Sequence, residues 1–470
     1  MYSSKLVDLF YSLSKAQLRA LRKFVRSPYF NKRQDVIDLF DLLYKTSLDN
    51  RTALRKEVVF TKLFEGQKFS ADKVDYTMSF LNKLIEQFLV HQSSTEDEVQ
   101  AELALMRSYR KLGLTKHFNQ SLSIARRHQA KSKRRDIDYH KKDFAIEAEQ
   151  YQFLATQKRD ANKNLEAVSK KLDILILTQK LKDGCRLLAH QAVAKQGYDF
   201  SLLELLLPYL EQHPALLENP GIGLYYYYYQ AATQEVGSEE YYRAFKRVFL
   251  DSTKAFALDE QSDLYTLALN YCVRQANVGH SHYQEELFEW YRVGLELNLL
   301  TDNGKLNPFK FNNITKLALR LQKVDWTAKF IKKYKNLLDP VYRATYVHNA
   351  HSMLSFARGN YEETLERLQE MDYRELFIAL DAKLLLIKVY YHLDEYDVLE
   401  SSINSFKVFL RRKDIMAYHQ EIYRNFLRIV QKLAQLPSFD KVAKAKLYKE
   451  IEEAQRLPEK QWLLEQIDAL

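Results

Sequence analysis

The sequence predicts an all-α protein: an N-terminal helical domain over residues 1–95, followed by stacked helical hairpins over residues 96–470. Three observations carry that expectation. The 470 residues include 11 Gly and 8 Pro, about a third of ordinary usage (~12%), whereas an all-β sandwich or barrel needs turn residues every 8–12 positions. Apolar residues make up 46% and charged residues 28%, a balance that supports a buried core and excludes bulk disorder. Apolar side chains also recur at three- and four-residue steps, the period of a helix face.

Taken in order, Lys5–Leu13 is a short apolar-rich helix. Ser14 suits the N-cap of a second helix, with Leu18, Leu21, Phe24 and Val25 on one face. Pro28 ends it, because the residue before a proline is pushed out of helical conformation. Lys32–Lys45 follows, with Val36, Leu39, Phe40 and Leu43 aligned. Ala53–Phe64 is a fourth helix, stopped near Gly66. Asp72–His91 is a fifth, with Tyr76, Phe80, Leu84 and Phe88 at four-residue steps, and the polar run Gln92-Ser93-Ser94-Thr95 marks a boundary. These helices read most simply as the divergent terminal unit of an array. Alternatively the fourth and fifth form a helix-turn-helix that would present Lys73, Asp75, Asn82 and Lys83 to a groove, with Asp72 and Asp75 working against it.

From Glu96 onward the pattern is helix, short break, helix. Aromatic residues recur just after the breaks at Tyr198, Tyr241, Tyr283, Trp326, Tyr361, Tyr396 and Phe439, spaced 43, 42, 43, 35, 35 and 43. The equal intervals align apolar columns: Leu319, Leu354 and Val389; Leu321, Phe356 and Tyr391; Leu338, Tyr373 and Val408. One hairpin of this length cannot bury its own apolar faces, whereas stacked hairpins share a continuous core. The marker aromatic is expected to be buried at the start of each second helix.

The segment Ser355-Phe356-Ala357-Arg358-Gly359-Asn360-Tyr361-Glu362-Glu363-Thr364-Leu365 resembles the middle of a tetratricopeptide repeat, and Tyr390–Asp397 resembles a weaker copy. The resemblance covers about two repeats, residues 342–411, and implies a right-handed α-solenoid. Gly279–Tyr283, Gly237–Tyr241 and Gly197-Tyr198 resemble the turn alone. The Trp and Leu-Gly of the family's first helix are absent, and the 42–43-residue intervals exceed the family's length of about 34.

Chemistry-bearing motifs are sparse. Gly221-Ile222-Gly223 lacks the third glycine and preceding strand of a phosphate loop. No nucleophile elbow, His-Glu-x-x-His or Cys-x-x-Cys occurs, and the pairs His348/His351 and His280/His282 suggest no third metal ligand. No catalytic residue, metal or cofactor is expected. Two cysteines, Cys185 and Cys272, fit a reducing compartment rather than a disulfide scaffold. With no signal-peptide core and no stretch able to span a bilayer, the expected location is cytoplasmic, without membrane contact.

Net charge is +10, of which residues 1–95 contribute +6, with 16 Lys/Arg against 10 Asp/Glu. Arg126–Lys142 holds eight basic and two acidic residues. Arg127, Lys131 and Arg135 fall four apart, with Arg134 beside them: a solvated helix face in the first reading, a phosphate-binding stripe in the second. Five consecutive tyrosines, Tyr225–Tyr229, cover every face of a helix. Packing on both sides is the simpler account, and an aromatic ligand groove including Tyr226 and Tyr229 is the other. The function expected is a protein- or peptide-binding scaffold. The alternative is a regulator that contacts nucleic acid through its N-terminal or basic-helix surface while the hairpins sense a partner. Oligomeric state is left open.

Overall fold

The computed structural model describes residues 3–470 except 48–49, 51, 157–162, 195, 236, 371–373, 413–416, 438 and 455–456. Among the described residues it is all-helical, with 23 α-helices, three short 3₁₀ helices and one two-residue ladder. The chain divides into two compact units, residues 1–257 and 258–470.

The first unit begins with α1 (Lys5–Ser12), α2 (Lys15–Val25), α3 (Gln34–Lys45), α4 (Lys56–Leu63) and α5 (Ala71–Glu96). Their apolar faces form one cluster running from Leu6 to Phe88, with α5 touching each of the other four. Ser14 and Gln17 cap α2 reciprocally: the Gln17 N–H donates to Ser14 Oγ at 3.2 Å, and the Ser14 N–H to Gln17 Oε1 at 3.0 Å. Helix α2 stops at Val25, and buried Asn31 donates to the Val25 carbonyl at 3.0 Å. The polar run 92–95 is not a break. The Ser94 and Thr95 hydroxyls bond back to the Val90 and His91 carbonyls, both at 2.8 Å, and α5 continues to Glu96. The break falls at Asp97, whose side chain caps the next helix.

That helix is α6 (Glu98–Lys111), followed by α7 (Thr115–Lys131), α8 (Ile137–Ala155), α9 (Leu165–Ala194), α10 (Ser201–Gln212), α11 (Pro220–Thr233) and α12 (Ser238–Ser252). Helices α6 to α8 share a second cluster around Leu103, Phe118 and Phe153. Helix α11 packs against both α9 and α12. Its glycines allow close approach: a Cβ on Gly221 would meet the Arg135 carbonyl oxygen at 2.7 Å, and one on Gly223 the Leu217 carbonyl oxygen at 2.4 Å.

The second unit comprises α13 (Leu258–Asn277), α14 (Tyr283–Glu296), α15 (Pro308–Arg320), α16 (Val324–Tyr334), α17 (Pro340–Ala357), α18 (Tyr361–Gln369), α19 (Leu376–His392), α20 (Tyr396–Arg412), α21 (Ala417–Ala434), α22 (Lys441–Glu453) and α23 (Lys460–Ala469). Between α14 and α15 a tight hairpin pairs Thr301–Asp302 with Lys305–Leu306. Its turn is Asn303-Gly304, at φ 48° and 76°, the dipeptide that most favours a two-residue hairpin.

One turn recurs through this unit. Gly279, Gln322, Gly359 and Asp394 each sit in the left-handed region, at φ 104°, 57°, 80° and 58°. Each donates its N–H to the carbonyl three residues back, and the next N–H bonds five residues back, as in Asn360 to Ser355 at 3.1 Å and Glu395 to Tyr390 at 3.1 Å. This is the Schellman ending of a helix. The turns follow at 43, 37 and 35 residues. Helix α17 packs against its hairpin partner α18 and also against α15 and α19.

The turns correct the expected register. Val324, Tyr361 and Tyr396 begin their helices two residues after each turn, so Trp326 lies two residues beyond the equivalent position. The first apolar column therefore runs through Leu317, Leu354 and Val389, which are 6%, 4% and 0% exposed, rather than through Leu319. Markers are not uniformly buried: Tyr283 is buried, Tyr361 half-buried, and Tyr396 and Phe439 are exposed. Tyr373, in the third column, lies outside the described residues.

Candidate functional site

The basic segment does not form a continuous stripe. Helix α7 ends at Lys131, Ser132 is extended, and the side chain of buried Asp136 caps α8 by accepting the Tyr139 N–H at 3.0 Å. Arg127 and Lys131 are exposed on α7, whereas Arg134 and Arg135 lie in the loop that follows. Arg134 pairs with Asp136. Arg135 donates to the Ser132 carbonyl at 2.9 Å, and its guanidinium lies 4.4 Å from the centre of the Tyr139 ring. The Arg135 backbone N–H donates to the Ala255 carbonyl at 2.7 Å. Elsewhere in the segment Arg126 pairs with Glu147, and Lys142 with Asp97 and Asp138. The loop arginines hold the α7–α8 connection, which the four-residue spacing alone did not reveal.

The tyrosine run is internal. Tyr226 and Tyr229 are 2% and 5% exposed, so a ligand would reach them only by displacing helices packed on α11. The Tyr226 hydroxyl accepts from Gln230 Nε2 at 3.2 Å, and burial pushes its pKa up to about 12. Burial raises Tyr229 as well. Cys185 is fully buried beneath this helix and donates to the Tyr225 carbonyl at 3.3 Å; burial pushes its thiol far up, the opposite of an activated nucleophile. The His348 Nε2 lies 2.5 Å from the Arg367 carbonyl, and no group of three metal-ligating side chains occurs among the described residues.

The chemistry that sequence reasoning missed lies on α15, α17 and α19. Asn349 of α17 donates to Asn312 Oδ1 of α15 at 3.0 Å, Asn312 donates to Asp381 of α19 at 2.8 Å, and Lys316 of α15 pairs with the same carboxylate. Asn312 and Asn349 are buried, so this ladder fixes three neighbouring helices in one alignment. Beside it, at the helix N-termini, aromatic rings meet edge to face. Phe309 lies 6.0 Å from Phe377 and 6.1 Å from Tyr346, and Tyr342 lies 6.4 Å from Tyr346. Tyr346 is buried, while Phe309, Tyr342 and Phe377 are 47%, 40% and 45% exposed. The signal for this cluster was present in each helix's first turn, but the uneven repeat intervals concealed its alignment.

Near the other end of α19, Lys388 is buried against Glu459 at 2.7 Å, with the Phe356 and Trp462 rings 4.6 and 5.2 Å from its ammonium. Trp462 Nε1 donates to His392 Nε2 at 3.1 Å, and the His392 ring stacks on Tyr361 at 4.5 Å. These contacts anchor α23 to the hairpins. Their polar groups are engaged with one another, so the exposed aromatic cluster is the stronger candidate for a contact surface.

The chain matches no protein-family model, no curated protein and no solved structure.

Proposed function

We propose that the chain is a non-enzymatic scaffold that binds a protein or peptide partner, working as a tetratricopeptide-like right-handed solenoid in the cytoplasm. The observation that carries the reading is the aromatic cluster Phe309, Tyr342 and Phe377, half-exposed across three adjacent helices that the Asn312–Asn349–Asp381 ladder holds in register. Rings left partly in water on a rigid support suit the anchoring of an apolar partner side chain, because aromatic residues supply much of the energy of protein interfaces. Recurrent Schellman turns and the packing of α17 against both α15 and α19 support the repeat architecture.

The test is site-specific photocrosslinking in the native host. A benzophenone side chain replaces Phe309 or Phe377 in one pair of variants and exposed Lys332 of α16 in the control. A discrete adduct from 309 and 377, absent from 332, is expected. No adduct from either aromatic position, or the same adduct from 332, would remove the reading.

A further inference from the structure

We propose that the exposed face of α2 docks on the phosphate backbone of a nucleic-acid duplex. Lys15, Arg19, Arg22, Lys23 and Arg26 follow at steps of four, three, one and three. At 100° per residue the four on α2 fall within a sector of about 100°, and at 1.5 Å per residue they span roughly 12 Å of helix axis, with Arg26 following at the C-cap. All five are exposed. Helix α2 contains no acidic residue. Asp41 of α3 faces two of the five, with Arg26 at 2.5 Å and Arg22 at 3.8 Å. Lys15, Arg19 and Lys23 make no ion pair with a described residue. The capping box fixes one end of the helix, and Asn31 fixes the other, so the cations are held on a rigid rod.

The distribution of charge across the chain points to the same partner. Residues 1–257 hold 41 Lys/Arg against 31 Asp/Glu, and residues 258–470 hold 30 against 30, so the whole net charge of +10 belongs to the first unit. A duplex carries about one negative charge per 1.7 Å of axis, enough to meet a cation on every turn of α2. A lipid surface fits less well. A helix lying on a bilayer buries an apolar face in it, and the apolar residues of α2, Leu21, Phe24 and Val25, are already buried in the core of the first unit. The proposal is independent of the aromatic cluster and of the partner it would bind.

The test is fluorescence anisotropy of the full chain with a labelled DNA duplex of about 20 base pairs. The variant is K15Q/R19Q/K23Q, which leaves the Asp41 pairs in place. The control, K329Q/K332Q/K333Q on α16, changes net charge equally at another exposed site. Three phosphate contacts give a slope of log affinity against log salt near −2.7, or about a 40-fold loss between 50 and 200 mM salt. The α2 variant is expected to weaken binding at least tenfold at low salt and flatten the slope, while the control changes affinity less than threefold. Circular dichroism and the melting temperature of both variants should match the parent. Equal effects of the two variants, no binding at 50 mM salt, or equally tight binding of poly-glutamate of matched charge would each overturn the proposal.

Discussion

Glu459 stands at a left-handed backbone position, φ 54°, just before α23 and against the buried Lys388 of α19. Burial pushes its carboxyl up, but the Lys388 ammonium, with Arg320 and Lys316 beyond it, pulls it below the ordinary carboxylate range. Removing one partner leaves a poorly solvated charge, so Lys388→Ala should destabilise the protein by roughly 3–5 kcal/mol. Lys388→Met combined with Glu459→Gln should cost much less; urea denaturation of the three proteins checks the order. Histidines add a pH dependence of defined sign. Burial lowers the pKa of His140, His351 and His392, and Lys388 lowers that of His392 further. Their folded pKa values lie below the unfolded value of about 6.5, so in the window between them the unfolded chain binds more protons. Stability is complete above that window and falls as pH drops through it. Only neutral His392 can accept the Trp462 N–H. Melting curves at pH 7.5, 6.0 and 5.0 should show an acid-side loss that His392→Gln reduces, since a glutamine oxygen accepts that bond at every pH. An unchanged acid profile in the variant would count against this role for His392.

Among the elements, the helices were legible because each buries a face at regular spacing, as Val36, Leu39, Phe40 and Leu43 do on α3. Turns were legible where glycine supplied the left-handed residue, at Gly279 and Gly359. At Gln322 an unfavourable side chain occupies that position, and aromatic spacing alone places the register two residues late. The basic stripe misled for a related reason: spacing shows which residues share a face only while the helix continues, and α7 ends at Lys131. The aromatic cluster is not legible in the sequence because its members come from three helices whose alignment depends on those turns. Two opposite changes test the turns. Gly359→Ala has open space around it but forces a Cβ into φ 80°, which should cost about 1 kcal/mol. Gln322→Gly relieves the same strain and should stabilise by up to about 1 kcal/mol, less what glycine adds to the freedom of the unfolded chain. Shifts of the same sign in the urea midpoint would contradict this account. The markers offer a further contrast. Tyr361, stacked on His392, should lose more on substitution by Ala than Tyr396, which is 45% exposed and should lose less than ~1 kcal/mol.

Across the whole molecule, net charge is divided unevenly along the chain. The first unit carries the net charge and the basic face of α2; the second is neutral overall and carries the exposed rings of α15, α17 and α19. Each unit has core clusters of its own, around Leu81 and Phe118 in the first and around Phe426 and Leu463 in the second. A chain of more than 200 residues with its own core is well above the size at which domains fold alone. Residues 258–470, produced separately, should therefore give a helical circular-dichroism spectrum and a cooperative thermal transition. Residues 1–257 should do the same and should retain the salt-dependent duplex affinity of the full chain within a few fold, whereas the neutral fragment should show none at the same salt. A shapeless, non-cooperative melt from either fragment would show that its core is incomplete without the rest of the chain. Duplex affinity in the 258–470 fragment would mean that local clusters, such as the lysines of α16, bind polyanions despite a net charge of zero, and that charge is not divided between the units in the way function requires.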